Sequence, residues 1–253
     1  MKGTTPPGVR TEQEAAAWVR DMFARVARRY DLANHLLSFN LDRRWRANAV
    51  RRVSRVLERP GARVLDLCCG TGDLLLALEA WGGRNPARRP APARTVFGVD
   101  FCHPMLVAAR RKTAGRRAAV FEADALRLPL RDASLDLITV AFGFRNLANY
   151  QAGLEEMRRL LRPGGAVAIL EFSKPPNAAF AAVYHLYSRR VLPLIGGALS
   201  GARDAYRYLP ESVGRFPEAP DLAGAMRLCG FANVSYAYLT GGIVALHVGE
   251  RPA

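Results

Sequence analysis

The chain has 253 residues, of which 50% are hydrophobic and 23% are charged. A core of ordinary size is therefore possible without disulfides, and this composition excludes an intrinsically disordered chain. No charge-free apolar window reaches the length of about 18 residues that a membrane-spanning helix needs. The length permits one large α/β domain or two small domains.

Basic residues outnumber acidic residues by 37 to 22, which gives a formal net charge of +15. Arginine supplies 34 of the 37 basic residues, and a GC-rich genome would produce that bias without any function. The functional alternative is attraction to an anion, either a nucleic acid or an anionic membrane face. About half of the excess lies in residues 1–60, which hold 13 basic and 6 acidic residues.

Cysteine usage and the N-terminus both bear on the compartment. The 4 cysteines show no zinc-ligand spacing, and Cys68 and Cys69 are adjacent and poorly placed for a disulfide. The first residues lack the apolar core of a signal peptide. A reducing, cytoplasmic location is therefore predicted.

Residues 11–60 carry the pattern of two helices. Apolar residues recur at helical spacing from Thr11 to about Arg29, and Thr11 is a predicted N-cap with Glu14 as its capping-box partner. A second helix is predicted over residues 42–58.

From residue 61 onward, short apolar strands alternate with helical patterns that begin at Asp73, near Pro104 and near Tyr150. This alternation predicts an α/β fold with a Rossmann-like, doubly wound and mostly parallel seven-stranded sheet. Thr240-Gly-Gly242 has hairpin chemistry, which predicts that the final strand is antiparallel. The predicted strands are Arg63–Cys68, Thr95–Asp100, Ala118–Glu122, Leu135–Ala141, Gly165–Glu171, Asn233–Leu239 and Ile243–Val248.

The predicted organisation is an N-terminal helical extension over residues 1–60 followed by an α/β domain over residues 61–253. Residues 82–94, GGRNPARRPAPAR, are rich in proline, arginine and glycine. We predict that this stretch is an exposed insertion without a chemical role.

The strongest local signal is the turn VLDLCCGTGD at residues 64–73, which follows a strand and opens a helix. Glycine in such a turn lets the backbone approach a ligand closely. Asp66, Asp73 and Asp100 surround the turn, and their carboxylates would repel a pyrophosphate and attract a cation. S-adenosylmethionine has no phosphate and carries a sulfonium and an ammonium group, so it is the predicted cofactor.

Each position around the turn has a predicted role. Asp66 suits the ammonium group, and Asp100 closes the second strand, where an acid accepts the ribose hydroxyls. Asp124 and Ala125 follow the third strand, where the adenine edge would lie. The alternative is that the acids are solvated loop residues or N-caps. No metal site is predicted, and the predicted cofactor-binding residues are Asp66, Gly70, Thr71, Gly72, Asp100, Phe101, Asp124 and Ala125.

Residues 64–73 resemble the first motif of class I S-adenosylmethionine-dependent methyltransferases, with Cys68 in place of the first glycine. Further segments resemble, in the same order, those of the ubiquinone/menaquinone-biosynthesis C-methyltransferase family. These segments are YDLANHLLSFNLDRRWR at 30–46, FGFRN at 142–146, RLLRPGGAVAILEFS at 159–173 and YRYLPESVGRFP at 206–217.

The resemblance implies methyl transfer from S-adenosylmethionine to a ring carbon of a polyprenyl quinol. Demethylmenaquinol, giving menaquinol, is the expected substrate, and a ubiquinone-pathway benzoquinol is the alternative. An RNA methyltransferase would explain the positive charge, but the N/D-P-P-Y/F tetrapeptide of amino methylases is absent after the fourth strand, so no nucleic-acid partner is expected. A non-catalytic scaffold and a methyltransferase of another lipid or phenol remain open.

Four catalytic residues are predicted: Arg145, Asn146, Tyr30 and Asp31. Arg145 would stabilise the forming quinolate, and Asn146 would hydrogen-bond one of its oxygens. Asp31 or His35 would take the quinol proton. The alternatives are an ion pair that fixes the loop for Arg145, structural hydrogen bonding for Tyr30 and Asp31, and a helix-surface or capping position for His35.

The prenyl tail needs an apolar surface, and residues 178–199 form the most apolar long segment. We predict a cover over the acceptor pocket at about residues 175–217. The apolar segment would belong to this cover or touch an anionic membrane peripherally at the inner face of the cell membrane, and an ordinary buried helix is the alternative. A homo-oligomer is left open.

Overall fold

The computed structural model describes residues 3–6, 8–81, 94–191 and 203–253. The predicted insertion at residues 82–94 lies outside the described residues except for its last position. Residues 192–199 of the apolar segment also lie outside them.

The sheet has seven strands in the order β3-β2-β1-β4-β5-β7-β6, which confirms the predicted wound sheet. β1 to β5 are parallel, and β7 is antiparallel to both β5 and β6. The strands are β1 Arg63–Leu67, β2 Thr95–Asp100, β3 Ala119–Glu122, β4 Leu135–Ala141, β5 Leu161–Phe172, β6 Ala232–Leu239 and β7 Val244–Glu250.

Helices cover both faces of this sheet, as the alternating pattern predicts. Short 3-10 turns at Ala27–Arg29, Phe144–Asn146 and Thr240–Gly242 and a π turn at Tyr187–Val191 complete the described elements. The helices are α1 Glu12–Val26, α2 Tyr30–Leu37, α3 Leu41–Arg52, α4 Ser54–Leu57, α5 Asp73–Glu79, α6 His103–Thr113, α7 Tyr150–Leu160, α8 Ala178–Leu186, α9 Arg203–Arg215 and α10 Ala219–Leu228.

The N-cap of α1 is confirmed, because Thr11 Oγ1 accepts a hydrogen bond from the Glu14 amide at 3.1 Å. The reciprocal capping-box bond is different from the prediction. The Glu14 carboxylate accepts from the amide of Arg10, one residue before the N-cap. The α-helix also ends at Val26, and a 3-10 turn replaces its predicted last residues.

The predicted helix over residues 42–58 is two helices, since the chain leaves helical geometry at Val53 between α3 and α4. Val53 and Val56 are buried in one core cluster with the sheet. Tertiary packing therefore decides this break, because neither glycine nor proline lies there. Sequence patterns also missed α2, α9 and α10, and Pro210 lies inside α9.

Alternate residues of the central strands face opposite sides of the sheet. Leu65 and Leu67 join the core cluster that contains α7, whereas Val64 joins the cluster that contains α3 and α5. The strand order reverses between β1 and β4, and in open α/β sheets ligands bind outside the carboxyl ends of the strands at that point. No helix among the described residues is long and apolar enough to cross a membrane.

Candidate active site

One cavity of about 630 Å³ lies at the carboxyl ends of the parallel strands. Such a volume is in the range of small-molecule sites. The structure brings together most of the residues predicted from the sequence and separates a few of them. Lining the cavity are Tyr30, Asp66, Gly70, Thr71, Asp100, Phe101, Asp124, Ala125, Arg145 and Asn146, whereas Asp31, His35 and Gly72 do not line it.

Asp66 is the last residue but one of β1 and is 1% exposed. Its Oδ1 accepts a hydrogen bond from Thr139 Oγ1 at 2.9 Å, while its Oδ2 is buried without a partner among the described residues. Burial raises the pKa of this carboxyl to about 7. An unpartnered carboxylate oxygen beside a cavity fits a cationic ligand group, such as the ammonium of S-adenosylmethionine.

Asp100 ends β2 and is also buried. Its Oδ2 accepts from the Gly70 amide and its Oδ1 from the Cys102 amide, both at 2.9 Å. Burial raises the pKa of Asp100 to about 6, although these backbone bonds oppose the shift. The carboxylate holds the glycine turn in place, and a carboxylate has further lone pairs for ligand hydroxyls.

The turn itself departs from the usual glycine pattern at Cys68. This residue takes a positive φ of 52°, a left-handed conformation that glycine adopts without steric strain. A Cβ added at Gly143, after β4, would lie 2.4 Å from the Cys68 Cβ. The Cys68 side chain thus occupies the space that a side chain at position 143 would need. The absence of a side chain at Gly143 therefore makes room for cysteine in place of glycine at position 68. Gly72 has a positive φ as N-cap of α5.

Gly143→Ala is expected to destabilise the protein by about 2 kcal/mol, because the added methyl group overpacks Cys68. Adding Cys68→Gly should recover most of this loss, since it removes the clashing atom and relieves the left-handed cysteine. Urea unfolding of the two single variants and the double variant measures the coupling. Effects that simply add would contradict this explanation of the paired residues.

The FGFRN segment forms a 3-10 turn after β4 that is tied to β5 by a buried ion pair. Arg145 Nη1 lies 2.9 Å from Glu171 Oε1, and the Arg145 amide donates to Glu171 Oε2 at 3.1 Å. Burial alone would lower the pKa of Arg145, but Glu171 outweighs it and raises the pKa, so the cation persists. The guanidinium also lies over the Phe172 ring, 5.2 Å from its centroid.

Asn146 belongs to a polar chain that crosses the fold. The hydroxyl of Tyr208 on α9 donates to Asn146 Oδ1 at 3.1 Å and is 2.7 Å from Thr4 Oγ1. Tyr30 also lines the cavity, and burial raises its pKa while Arg145 opposes the shift. A phenol with a raised pKa stays neutral at pH 7, which favours a hydrogen-bond donor over a base.

Asp31 and His35, which were predicted from the sequence to take the quinol proton, do not line the cavity. Asp31 accepts a hydrogen bond from Thr71 Oγ1, and its Oδ2 lies 2.7 Å from Lys112 Nζ. His35 Nδ1 lies 2.7 Å from Asp42 Oδ2. Both side chains are therefore occupied in contacts that connect α2 to the glycine turn, α3 and α6.

The network continues through two more charged groups, Asp73 and Arg46. Lys112 Nζ donates to Asp73 Oδ1 at 2.7 Å, and Arg46 pairs with both Asp42 and Asp73. Burial would raise the pKa of Asp42, but bonds from Ser38 and Arg46 outweigh it and hold that pKa below its usual value. His35, Asp42 and Asp73 are close enough to share a cation, yet Arg46 and Lys112 already compensate the carboxylates.

Sequence reasoning missed an aromatic box (Trp45, Phe142 and Phe172) that lines part of the cavity. The Phe142 and Phe172 rings lie 4.8 Å apart between centroids, and Trp45 lies 5.9 Å from Phe142. Trp45 Nε1 donates to Thr240 Oγ1 at 2.8 Å, which fixes the indole. Each of the three residues belongs to one of the family-like segments, at 30–46, 142–146 and 159–173. No local pattern indicates that the three rings meet.

Comparison with known proteins gives the family. A model of the ubiE/COQ5 methyltransferase family matches residues 9–251. The chain belongs to this family. A demethylmenaquinone methyltransferase of Thermus thermophilus is 49% identical over 91% of the chain and 100% of its own length. A protein of the same name from Deinococcus radiodurans is 44% identical over 99% and 100%.

A further relative is named ubiquinone/menaquinone biosynthesis C-methyltransferase UbiE, from Syntrophotalea carbinolica. It is 44% identical over 92% of the chain and 93% of its own length. These matches confirm the predicted family and a methyltransferase enzyme, and they support S-adenosylmethionine as its cofactor. The resemblance read from the sequence segments is therefore confirmed.

Solved structures confirm the fold. A SAM-dependent methyltransferase from Aquifex aeolicus superposes with a TM-score of 0.55 at 19% identity, covering 80% of this chain and 88% of that one. The [4+2]-cyclase SpnF superposes with a TM-score of 0.64 at 15% identity, and both chains are fully covered. Because one neighbour is a cyclase, the fold alone does not assign the reaction.

Proposed function

We propose that this protein transfers the methyl group of S-adenosylmethionine to a ring carbon of demethylmenaquinol and thereby forms menaquinol. The names of the relatives from Thermus thermophilus and Deinococcus radiodurans support this substrate. The single observation that carries the proposal is the continuity of the cavity. It joins the acidic turn at Asp66 and Asp100 to an apolar end lined by the aromatic box.

The acidic end is where we place the donor. Asp66 would hold its ammonium group through the unpartnered Oδ2, and Asp100 would accept the ribose hydroxyls. Gly70 and Thr71 would shape the turn, while Phe101, Asp124 and Ala125 would surround the adenine. When bound, S-adenosylmethionine supplies a methyl group activated by the positive charge on sulfur. These assignments keep the donor's cationic end among carboxylates, where it is stabilised.

The acceptor end is where the chain assists the reaction. A quinol carbon becomes a nucleophile when the ring hydroxyl loses its proton, and the persistent cation of Arg145 would stabilise the resulting oxyanion. Asn146 and the neutral phenol of Tyr30 would donate hydrogen bonds to the quinol oxygens. The aromatic box would orient the ring and exclude water, which favours a step in which opposite charges neutralise each other.

Asp31 has a positioning role in this proposal, because it holds Thr71 and Lys112 and so fixes α2 beside the glycine turn. We also propose that the N-terminal helices of residues 1–60 and the segment at about residues 175–217 together cover the acceptor. Supporting this, Tyr30, Asn34 and Trp45 from the first part line the same cavity as Tyr184 and Tyr208 from the second.

The test is incubation of the purified protein with isotopically labelled S-adenosylmethionine and chemically reduced demethylmenaquinone, followed by product mass. We expect a product heavier by one labelled methyl group, bonded to ring carbon. The oxidised quinone should give none, since it lacks the hydroxyl whose ionisation activates the ring. A reduced ubiquinone-pathway benzoquinone tests the alternative acceptor suggested by the relative from Syntrophotalea carbinolica.

The outcome that contradicts the proposal is the absence of labelled product from every reduced quinone while S-adenosylmethionine still binds in calorimetry. Methylation of the benzoquinol in preference to the naphthoquinol would move the substrate to the alternative. Transfer to tRNA or rRNA with no transfer to quinols would assign the protein to a different reaction.

A further inference from the structure

Exposed apolar side chains are concentrated beside the mouth of the cavity. Leu32 and Leu36 on α2 and Phe39 just after it are 58%, 48% and 75% exposed. On α8, Val183 and Leu186 are 67% and 55% exposed. We call these five residues the apolar rim. Exposed apolar groups clustered at one place are typical of an interaction surface.

The helix α8 is not the ordinary buried helix that the sequence left open. It contains no aspartate, glutamate, lysine or arginine, and none of its nine residues is buried. It is nevertheless held in place, because Phe180 packs against Gly241, where an added Cβ would lie 2.6 Å from the ring. An apolar helix that is fixed with its outer face exposed offers that face to a partner.

The two halves of the apolar rim meet at the cavity. The Phe39 ring lies 6.4 Å from the Tyr187 ring between centroids, and the Tyr187 hydroxyl donates to the Leu37 carbonyl at 3.0 Å. Phe39, Val183 and Tyr187 also line the cavity. A molecule resting on the apolar rim would therefore face the acceptor end of the site.

Positive charge adjoins the apolar rim. Residues 25–46 contain six arginines and two aspartates, and both aspartates are in ion pairs with Lys112 or Arg46. Arg28, Arg43 and Arg44 are exposed in the turn before α2 and on α3. Apolar side chains beside exposed arginines match the acyl boundary and the phosphates of an anionic bilayer.

We propose that the apolar rim and its adjoining arginines form the surface that docks this protein peripherally on an anionic lipid bilayer. A second copy of the chain is a poorer occupant, because a two-fold contact would place the same arginines against each other. Docking stands on the surface alone. Its use, the direct transfer of a membrane-borne acceptor into the cavity, rests on the proposed function.

The test compares binding to vesicles of phosphatidylcholine alone and of an equal mixture with phosphatidylglycerol. Wild-type protein should sediment with the anionic vesicles, and added salt should weaken this binding. Leu32→Glu/Leu36→Glu should reduce the partition coefficient by roughly tenfold or more, because two apolar contacts become repelled charges. These two residues do not line the cavity, and glutamate suits an exposed helix.

Matched controls separate the surface from general effects of charge. Leu228→Glu on α10 changes an 89% exposed leucine and should leave vesicle binding unchanged. Arg43→Gln/Arg44→Gln should weaken binding roughly tenfold, whereas Arg110→Gln/Arg111→Gln on α6 removes the same charge and should have a smaller effect. If both arginine double variants lost vesicle binding equally, the effect would come from net charge alone, and the assigned surface would be overturned.

Two further results would overturn docking on lipid. One is binding of Leu32→Glu/Leu36→Glu to anionic vesicles with wild-type affinity. The other is a dimer of the wild-type protein in analytical ultracentrifugation that is absent in this variant, which would identify a second copy as the occupant.

In a turnover assay, Leu32→Glu/Leu36→Glu should lose activity on long-tailed quinol in vesicles but keep it on a water-soluble short-tailed quinol. A wild-type protein inactive on both quinols would contradict the proposed function, while the vesicle result would still decide docking.

Discussion

Asp66→Asn is expected to stabilise the ligand-free protein at pH 8 and, at the same time, to weaken its binding of S-adenosylmethionine. The reason is that Asp66 is fully buried and one of its oxygens has no partner among the described residues. Ionising such a group lowers the free energy of unfolding, and a bound cation offsets this loss because it pairs with the carboxylate. The same substitution should therefore have effects of opposite sign on stability and affinity.

The dependence on pH follows from the direction of the shift. Burial raises the pKa of Asp66 from 3.8 to about 7 in the folded protein. The folded state thus retains a proton that the unfolded chain has released, so the stability from this group is complete below about pH 4 and is lost as pH rises towards 7. The advantage of asparagine should grow across that window and reach a plateau above it.

The linkage sets an upper limit of about 4 kcal/mol at pH 8 for this advantage. The asparagine amide would itself be buried without an acceptor, which costs roughly 1–3 kcal/mol, so we expect a net gain on the order of 2 kcal/mol. Affinity for S-adenosylmethionine should fall roughly tenfold to a hundredfold, since a buried charge partner is lost. Urea unfolding from pH 5 to 8 and calorimetry measure the two effects.

Asp136→Asn is the matched control. Asp136 is equally buried, near the start of β4, but its oxygens are paired with the Arg63 amide at 2.7 Å and with Arg162 at 3.0 Å. Asparagine there should destabilise the protein and leave S-adenosylmethionine affinity unchanged. If Asp66→Asn weakens stability at every pH, the unpartnered carboxylate has been misassigned.

Arg145→Met is expected to lower turnover by roughly a hundredfold to a thousandfold, which is the usual effect of removing an oxyanion-stabilising group. The affinity for S-adenosylmethionine should change little. It should also destabilise the protein by about 3–5 kcal/mol, because Glu171 is left buried without its cation. A loss of activity in this variant alone would thus have two explanations.

The double variant Arg145→Met/Glu171→Gln separates them. Neutralising Glu171 removes the buried, uncompensated charge, so most of the stability should return. Turnover should not return if Arg145 stabilises the quinolate, whereas recovery of turnover with folding would reduce Arg145 to an ion pair that fixes the loop. Arg159→Met removes a partly exposed pair with Glu156 outside the cavity and should leave turnover unchanged.

The acidic end of the site was predictable because its residues end neighbouring strands. Asp66 and Asp100 are separated along the chain, but β1 and β2 are adjacent and parallel, so their carboxyl ends meet at one edge of the sheet. The glycine turn between β1 and α5 completes the pattern. A local signal combined with one rule of topology was therefore enough to bring these residues together.

The acceptor end was not predictable in the same way. Trp45, Phe142 and Phe172 come from three distant segments, and their contact depends on how α3 packs across the ends of β4 and β5. Asp31 was predicted, as an alternative to His35, to take the quinol proton. Its ion pair with Lys112 on α6 could only be found once the helices were in place.

The sequence by itself determined the succession of strands along the chain, the glycine turn and the acids that end the strands, since periodicity and turn chemistry are properties of neighbouring residues. It also contained the segments that place the chain in its family. Only the tertiary structure decided which charges are paired and which apolar residues face solvent. The physical reason is that burial and ion pairing depend on residues far apart in the chain. They leave one oxygen of Asp66 without a partner, pair the cation of Arg145 with Glu171, and expose the apolar rim on α2 and α8.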